Sequence, residues 1–233
     1  MVSAPSGLVT CLPTCSTRSS ACSGDSLGIS KRFLLITLLC CAAPLSARPA
    51  AAPVILVMGD SLSAAYGIET SQGWVALLAE RLKTRANDYR VVNASVSGDT
   101  SAQGLTRLPV ELSRHKPDIV ILELGANDGL RGLPVTALQA NIAKMIRLSK
   151  QASARVLLLG IMLPPNYGPV YTRGFAAVYP RLAKEYHVPL VPFLLDGVAQ
   201  HREMLQADGL HPLAIAEQRV LDNVWVKLKP LLQ

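Results

Sequence analysis

Val54-Ile-Leu-Val-Met-Gly-Asp-Ser-Leu-Ser63 decides how this chain is read. An apolar run that meets Gly59, Asp60 and Ser61 without a spacer describes a strand buried on both faces and ending in a tight turn. In an open α/β sheet, ligands sit at the carboxyl ends of the strands, so a serine hydroxyl on that turn is placed to meet a substrate. Gly, Asp and Ser also favour turns for local reasons. The stretch by itself therefore leaves a catalytic serine and an ordinary turn equally open.

Outward from this strand, helical and extended periods alternate. A loop over 63–73 leads to Trp74, Leu77, Leu78 and Leu82, whose spacing predicts a helix over 74–84. A strand over 89–94 opens into a small, polar loop over 95–101, and a helix over 102–114 follows with Leu105, Leu108 and Leu112 on one face. Pro109 is expected to kink it. A strand over 119–124 ends in a loop over 125–129, and Leu138, Ile142, Met145 and Ile146 mark the next helix. Then come a strand over 155–161, a loop over 163–168, a single helix over 171–186 and a short strand over 189–193. A last helix over 213–231 carries Val220, Leu221, Val224, Trp225 and Leu228 on its apolar face. Such alternation predicts a three-layer α/β/α protein with a flavodoxin-like, five-stranded parallel sheet in the order 2-1-3-4-5. Ser61 and Asn127 would then face each other across the crevice between strands one and three. Glu123 is a carboxylate inside an apolar strand, a group that must be hydrogen-bonded or near a site.

At 233 residues and 50% hydrophobic content the chain holds enough apolar surface for one full domain. Its formal charge is +7, but without the first fifty residues 19 basic and 15 acidic side chains leave +4. Without a basic stripe interleaved with aromatics, nucleic acid is not an expected partner. Cys11, Cys15, Cys22, Cys40 and Cys41 are all the cysteines, and all lie in those fifty residues. The Cys11 and Cys15 spacing lacks the histidine or second cysteine pair of a zinc site, so no metal is expected. A cysteine-free domain folds in an oxidising compartment without needing disulfides.

Lys31-Arg32 before the apolar run 33–43 and Leu45-Ser-Ala47 has the order of a secretory signal peptide. The run is short for a bilayer span, so cleavage near 47–50 and no retained anchor are expected. Cys40 and Cys41 lack the small residue that precedes a lipoprotein cysteine. Residues 1–30 are foreign to such a leader, which puts the expected translation start downstream. Within them Gly24-Asp-Ser-Leu-Gly28 repeats the motif around Ser61, but no strand precedes Ser26, as a nucleophile turn requires.

A serine needs a base, and histidine is the usual one. His115, His187 and His201 sit in polar or turn surroundings and read as surface residues. His211 closes Asp208-Gly-Leu-His-Pro212, where Asp208 can reach the far ring nitrogen and fix the tautomer. The same residues also suit a turn with a helix cap beside Pro212 at the first helical position.

Gly59-Asp-Ser-Leu-Ser63, Gly98 in Ser97-Gly-Asp-Thr100, Gly125-Ala-Asn-Asp128 and Asp208-Gly-Leu-His211 resemble, in order and at strand ends, the four blocks of the SGNH hydrolases, also called GDSL esterases. The resemblance runs from about 54 to 232. The segments 123–131 and 163–168 look like the bacterial periplasmic subgroup of acyl-CoA thioesterase, lysophospholipase and arylesterase. With the leader expected over 1–50, the resemblance implies an SGNH hydrolase domain over 51–233, with Ser61 as nucleophile, His211 as base and Asp208 as its orienter. The backbone amides of Ser61 and Gly98 and the side chain of Asn127 would form the oxyanion hole. The expectation is a cofactor-free, monomeric, periplasmic or secreted serine esterase acting on small acyl esters or thioesters: lysophospholipid, acyl-CoA or aryl ester. Leu163 and Tyr167, on the loop leaving strand four, are candidates for binding the acyl chain. The alternatives are a carbohydrate O-acetyl esterase and a non-catalytic binding module; the latter has no use for Ser61, Asp208 and His211 together.

Overall fold

In the computed structural model, which describes residues 52–84 and 89–232, Val54–Gly59 form β1 and every one of its residues is buried. A run without polar alternation suits a strand covered on both faces. β2 (Arg90–Asn93) flanks β1 on one side and β3 (Ile119–Glu123) on the other. β4 (Arg155–Leu159) and β5 (Leu190–Val191) complete a parallel sheet in the order β2-β1-β3-β4-β5. This is the expected order, with the switch point between β1 and β3. The leader expected over 1–50, all five cysteines and Ser26 lie outside the described residues.

From β1 the chain steps outward to β2 and then travels the other way through β3, β4 and β5. Right-handed crossovers therefore put the first helix on one face and the next ones on the other. α1 (Trp74–Thr84) accordingly packs against α7 (Glu217–Leu228), while α2 (Ser101–His115) packs against α4 (Val135–Gln151), and α4 against α6 (Val178–Tyr186). Trp74, Leu78 and Leu82 of α1, Leu108 of α2, and Ile142, Met145 and Ile146 of α4 are fully buried against the sheet. Truncating any one of the leucines to alanine removes packing worth about 2–5 kcal/mol.

Several elements differ from the sequence expectation. The loop expected over 125–129 contains a short helix, α3 (Ala126–Leu130), entered through Gly125 at φ 127°. The helix expected over 171–186 is two, α5 (Pro169–Ala176) and α6, parted at Ala177. Pro180 has no amide to give the carbonyl of Ala176, which ends the first helix there. The last helix is shorter than expected, because 3-10 turns at Ala214–Ala216 and Lys229–Leu231 flank it. Pro212 is therefore not the first residue of a helix. α2 continues through Pro109, which lies on its exposed side, where a freed carbonyl costs least.

Candidate active site

Three strand ends converge beyond Gly59. β1 gives way to a turn closed by Ala64 N–H to Asp60 O at 3.0 Å and Tyr66 N–H to Ser61 O at 3.2 Å. Beyond β2, Ala94 and Val96 keep donating to Val57 and Gly59 of β1, at 2.9 and 3.1 Å. The loop carrying Gly98 thus follows β1 to its end. Gly98 sits at φ 86°, a conformation that strains a residue with a side chain. β3 pairs Glu123 with Gly59, and α3 then presents Asn127.

Asn127 Nδ2 donates to the Asp99 carbonyl at 3.1 Å and to Asp60 Oδ2 at 3.3 Å, which seats it between the Ser61 turn and the Gly98 loop. The neighbouring Asp128 accepts the backbone N–H of Ser101 at 2.7 Å and also its hydroxyl. Ser101 opens α2, whose end is closed by a reciprocal capping box between Thr100 and Gln103. Arg131 Nη2 donates to Gly98 O at 2.9 Å, and Arg107 pairs with Asp99. The loop is thereby held from both sides.

His211 Nε2 lies 2.8 Å from Ser61 Oγ, and His211 Nδ1 lies 2.6 Å from Asp208 Oδ2. Asp208 Oδ1 accepts the backbone N–H groups of Leu210 at 2.9 Å and His211 at 3.1 Å. Partial burial works to raise the Asp208 carboxyl. The Leu210 amide, the His211 ring and the His211 amide outweigh it and bring the carboxyl down from 3.8 to about 2. Ionised at neutral pH, Asp208 only accepts, so the proton sits on Nδ1 and Nε2 is free to accept from the Ser61 hydroxyl. The segment is pinned by a bridge between Leu205 and Pro212 and by Gln206 Nε2, which donates to Pro212 O at 2.9 Å and Tyr66 O at 2.7 Å. The Tyr66 ring lies against the imidazole with centroids 4.6 Å apart. His115 pairs with Glu111, His201 pairs with Glu203 and His187 ends α6.

Beneath the turn two carboxyls are wholly buried. Asp60 Oδ1 accepts Leu62 N–H at 3.1 Å. Burial lifts Asp60 from 3.8 to about 6, against the pull of the Leu62 amide and the His211 charge. Glu123 Oε2 accepts Asp60 N–H at 3.2 Å and the Ser63 hydroxyl at 2.7 Å. Burial first, and the Asp60 charge second, push its carboxyl well above 4.5. These two residues, Asp128 and Tyr66 were not singled out as site residues from sequence. Glu123 alone carried a signal, as a charge in an apolar strand.

A cleft of about 370 Å³ opens beside Ser61, Asn127 and His211. Its walls are mostly apolar, among them Leu62, Leu130, Ile161, Leu163, Phe193 and Leu210. Leu163 lines it, as does Pro165. Tyr167 does not; its hydroxyl donates to the backbone oxygen of the lining residue Leu130 at 3.3 Å. Among the described residues no helix is long and apolar enough to cross a membrane.

A serine at hydrogen-bond distance from a histidine that is itself oriented by a carboxylate, at the switch point of this sheet, can carry out acyl transfer through a covalent ester. The molecule is a serine hydrolase. Residues 57–219 match the model of the GDSL-like Lipase/Acylhydrolase family, and the chain belongs to that family. It is 55% identical over 193 residues to "Esterase TesA" of Pseudomonas aeruginosa, covering 83% of this chain and 96% of that one. It is 44% identical over 199 residues to the Escherichia coli "Thioesterase 1/protease 1/lysophospholipase L1", covering 85% of this chain and 91% of the relative. A crystal structure of the psychrotrophic esterase EstA from Pseudoalteromonas sp., inhibited by monoethylphosphonate, superposes with TM-score 0.73 at 38% identity, over 76% of this chain and 97% of that one.

Proposed function

We propose that Ser61 attacks the carbonyl carbon of an acyl ester or thioester while His211 Nε2 takes its proton. Asp208 keeps Nδ1 protonated and stabilises the imidazolium as it forms. The carbonyl oxygen, as it gains charge, accepts from the backbone N–H groups of Ser61 and Gly98 and from Asn127 Nδ2, which gives up one of its two contacts, with Asp60 at 3.3 Å or Asp99 at 3.1 Å, to make this bond. His211 then returns the proton to the departing oxygen or sulfur, leaving an acyl-enzyme on Ser61. Water, deprotonated by His211, hydrolyses that ester by the same steps in reverse roles. The observation that carries this reading is the 2.8 Å contact between Ser61 Oγ and His211 Nε2 at the edge of an apolar cleft.

The acyl chain occupies that cleft, with Leu163 in its wall and Tyr167 bracing the wall through its hydrogen bond to Leu130 O. Relatives named as an esterase, as an arylesterase, and as a thioesterase and lysophospholipase support aryl ester, acyl thioester such as acyl-CoA, and lysophospholipid as acyl donors. The protein acts as a monomer in the periplasm or outside the cell, after loss of a leader ending near 47–50. The test is a panel of p-nitrophenyl esters from acetyl to palmitoyl, an acyl-CoA, a lysophospholipid and an acetylated sugar. Turnover that rises with acyl length beyond acetyl supports the reading. Activity confined to the acetylated sugar contradicts it.

A further inference from the structure

Glu123 touches none of the reacting atoms, yet it grips the nucleophile turn on both sides of Ser61. One oxygen, Oε2, accepts the N–H of Asp60, the residue before Ser61, and the hydroxyl of Ser63, two residues after it. The other, Oε1, is buried and has no hydrogen-bond partner. A buried carboxyl with an unmatched oxygen is costly, and Ile119, Val120, Ile121 and Leu122 of the same strand are all apolar. Packing alone would thus be better served by an aliphatic residue at 123. Gly59 leaves the room for the contact, since a Cβ there would come within 2.7 Å of Glu123 Oε2 and 2.8 Å of Ser63 Oγ.

We propose that Glu123 is a positioning residue for the reaction, clamping the turn at Asp60 N–H and Ser63 Oγ so that Ser61 Oγ is held in line with His211 and the oxyanion donors. The proposal rests on the reading of Ser61 as nucleophile. The clamp extends further, because Asp60, fixed through its amide by Glu123, reaches Asn127 with its own carboxylate. Seat and oxyanion donor are thus tied to one buried group at the end of β3. Since burial and the Asp60 charge push the Glu123 carboxyl well above its ordinary value, a neutral amide is its close mimic. In Glu123→Gln the side-chain oxygen still accepts from both donors.

The test compares Glu123→Leu and Glu123→Gln with wild type in steady-state hydrolysis of a p-nitrophenyl ester, with thermal melting of each alongside. A misplacement of the nucleophile by about 1 Å is worth about a hundredfold in turnover. Glu123→Leu should therefore lose about that factor in kcat with KM nearly unchanged, while Glu123→Gln keeps most of the wild-type kcat. A folded Glu123→Leu enzyme with near wild-type kcat overturns the proposal, as does a folded Glu123→Gln enzyme that loses as much as the leucine variant. Should the leucine variant not fold, Ser63→Ala removes one of the two clamped donors from a smaller site. It should lower kcat without raising KM, and an unchanged kcat in that variant overturns the proposal. Ser61→Ala is measured beside them. Activity in that variant overturns the nucleophile assignment, whereas an inactive Ser61→Ala with a fully active Glu123→Leu overturns the clamp alone.

Discussion

Asn127 donates its side-chain N–H to the main-chain oxygen of Asp99 at 3.1 Å, so the loop from β2 and the helix after β3 meet at a single amide. Asn127 is only half-buried, which makes it a poor candidate for a purely structural residue. Asn127→Ala should fold as wild type and lose roughly a hundredfold or more in kcat, the usual effect of removing one oxyanion donor. Asn127→Asp should be no better and also less stable, because it sets another carboxylate beside the buried Asp60. Ester turnover with a parallel thermal melt checks both; an alanine variant with near wild-type turnover would reduce Asn127 to a turn former.

Asp208 works by accepting. Asp208→Asn can keep the turn hydrogen bonds to Leu210 and His211 but presents an amide group toward His211 Nδ1, favouring the tautomer with its proton on Nε2. kcat should fall by roughly three to four orders of magnitude with little change in KM. Steady-state kinetics of the purified variant measure this, and a loss of less than tenfold contradicts the role.

Glu217, at the start of α7, accepts the Trp74 N–H that opens α1, at 2.8 Å, and is 2% exposed. Burial lifts its carboxyl from 4.5 to about 7, with the Trp74 amide pulling the other way. Because the folded value is the higher one, the contribution of the neutral acid is complete below 4.5 and is lost as pH rises through about 7. Glu217→Gln, which can still accept from Trp74, should therefore gain stability relative to wild type between pH 4.5 and 8, by about 3 kcal/mol. Denaturant unfolding at the two pH values reads the difference, and a gap independent of pH contradicts it.

Leu163 and Tyr167 should now separate. Leu163 is in the cleft wall, packed where a Cβ on Gly129 would strike it, whereas Tyr167 does not line the cleft and meets it through its hydrogen bond to Leu130 O. Leu163→Ala should shift the preferred acyl length across C2 to C16 esters, since each methylene buried or exposed is worth up to about 0.8 kcal/mol. Tyr167→Phe, which loses only the hydroxyl, should leave the preference in place. A profile that merely scales in Leu163→Ala would remove the loop from selectivity.

Much of this architecture was legible because it follows from period and punctuation. The uninterrupted apolar run of β1 marked a central strand, and the leucine spacing placed α1 at the residues it occupies. The ends of β1, β2 and β3 carry Ser61, Gly98 and Asn127, and the segment between β5 and α7 brings Asp208 and His211 to Ser61. What escaped was tertiary or hidden by turn chemistry. Asn127, Asp128 and Gly129 are turn formers, so their composition masked α3. The break at Ala177 could have been read from Pro180. The tie from Asp128 to Ser101 spans 27 residues and has no local pattern. Tyr66 is an exposed aromatic in a loop, and only the folded chain brings its ring to His211.

The account stands on Ser61 as the residue that becomes acylated. Treating the full-length chain and its leader-free form with a fluorophosphonate and mapping the modified peptide by mass spectrometry tests this directly, with Ser26 of the full-length chain as the control because it carries the same Gly-Asp-Ser-Leu sequence. Stoichiometric label on Ser61, abolished in His211→Ala and absent from Ser26, is the predicted result. Label on Ser26, or activity lost without any adduct on Ser61, would contradict it.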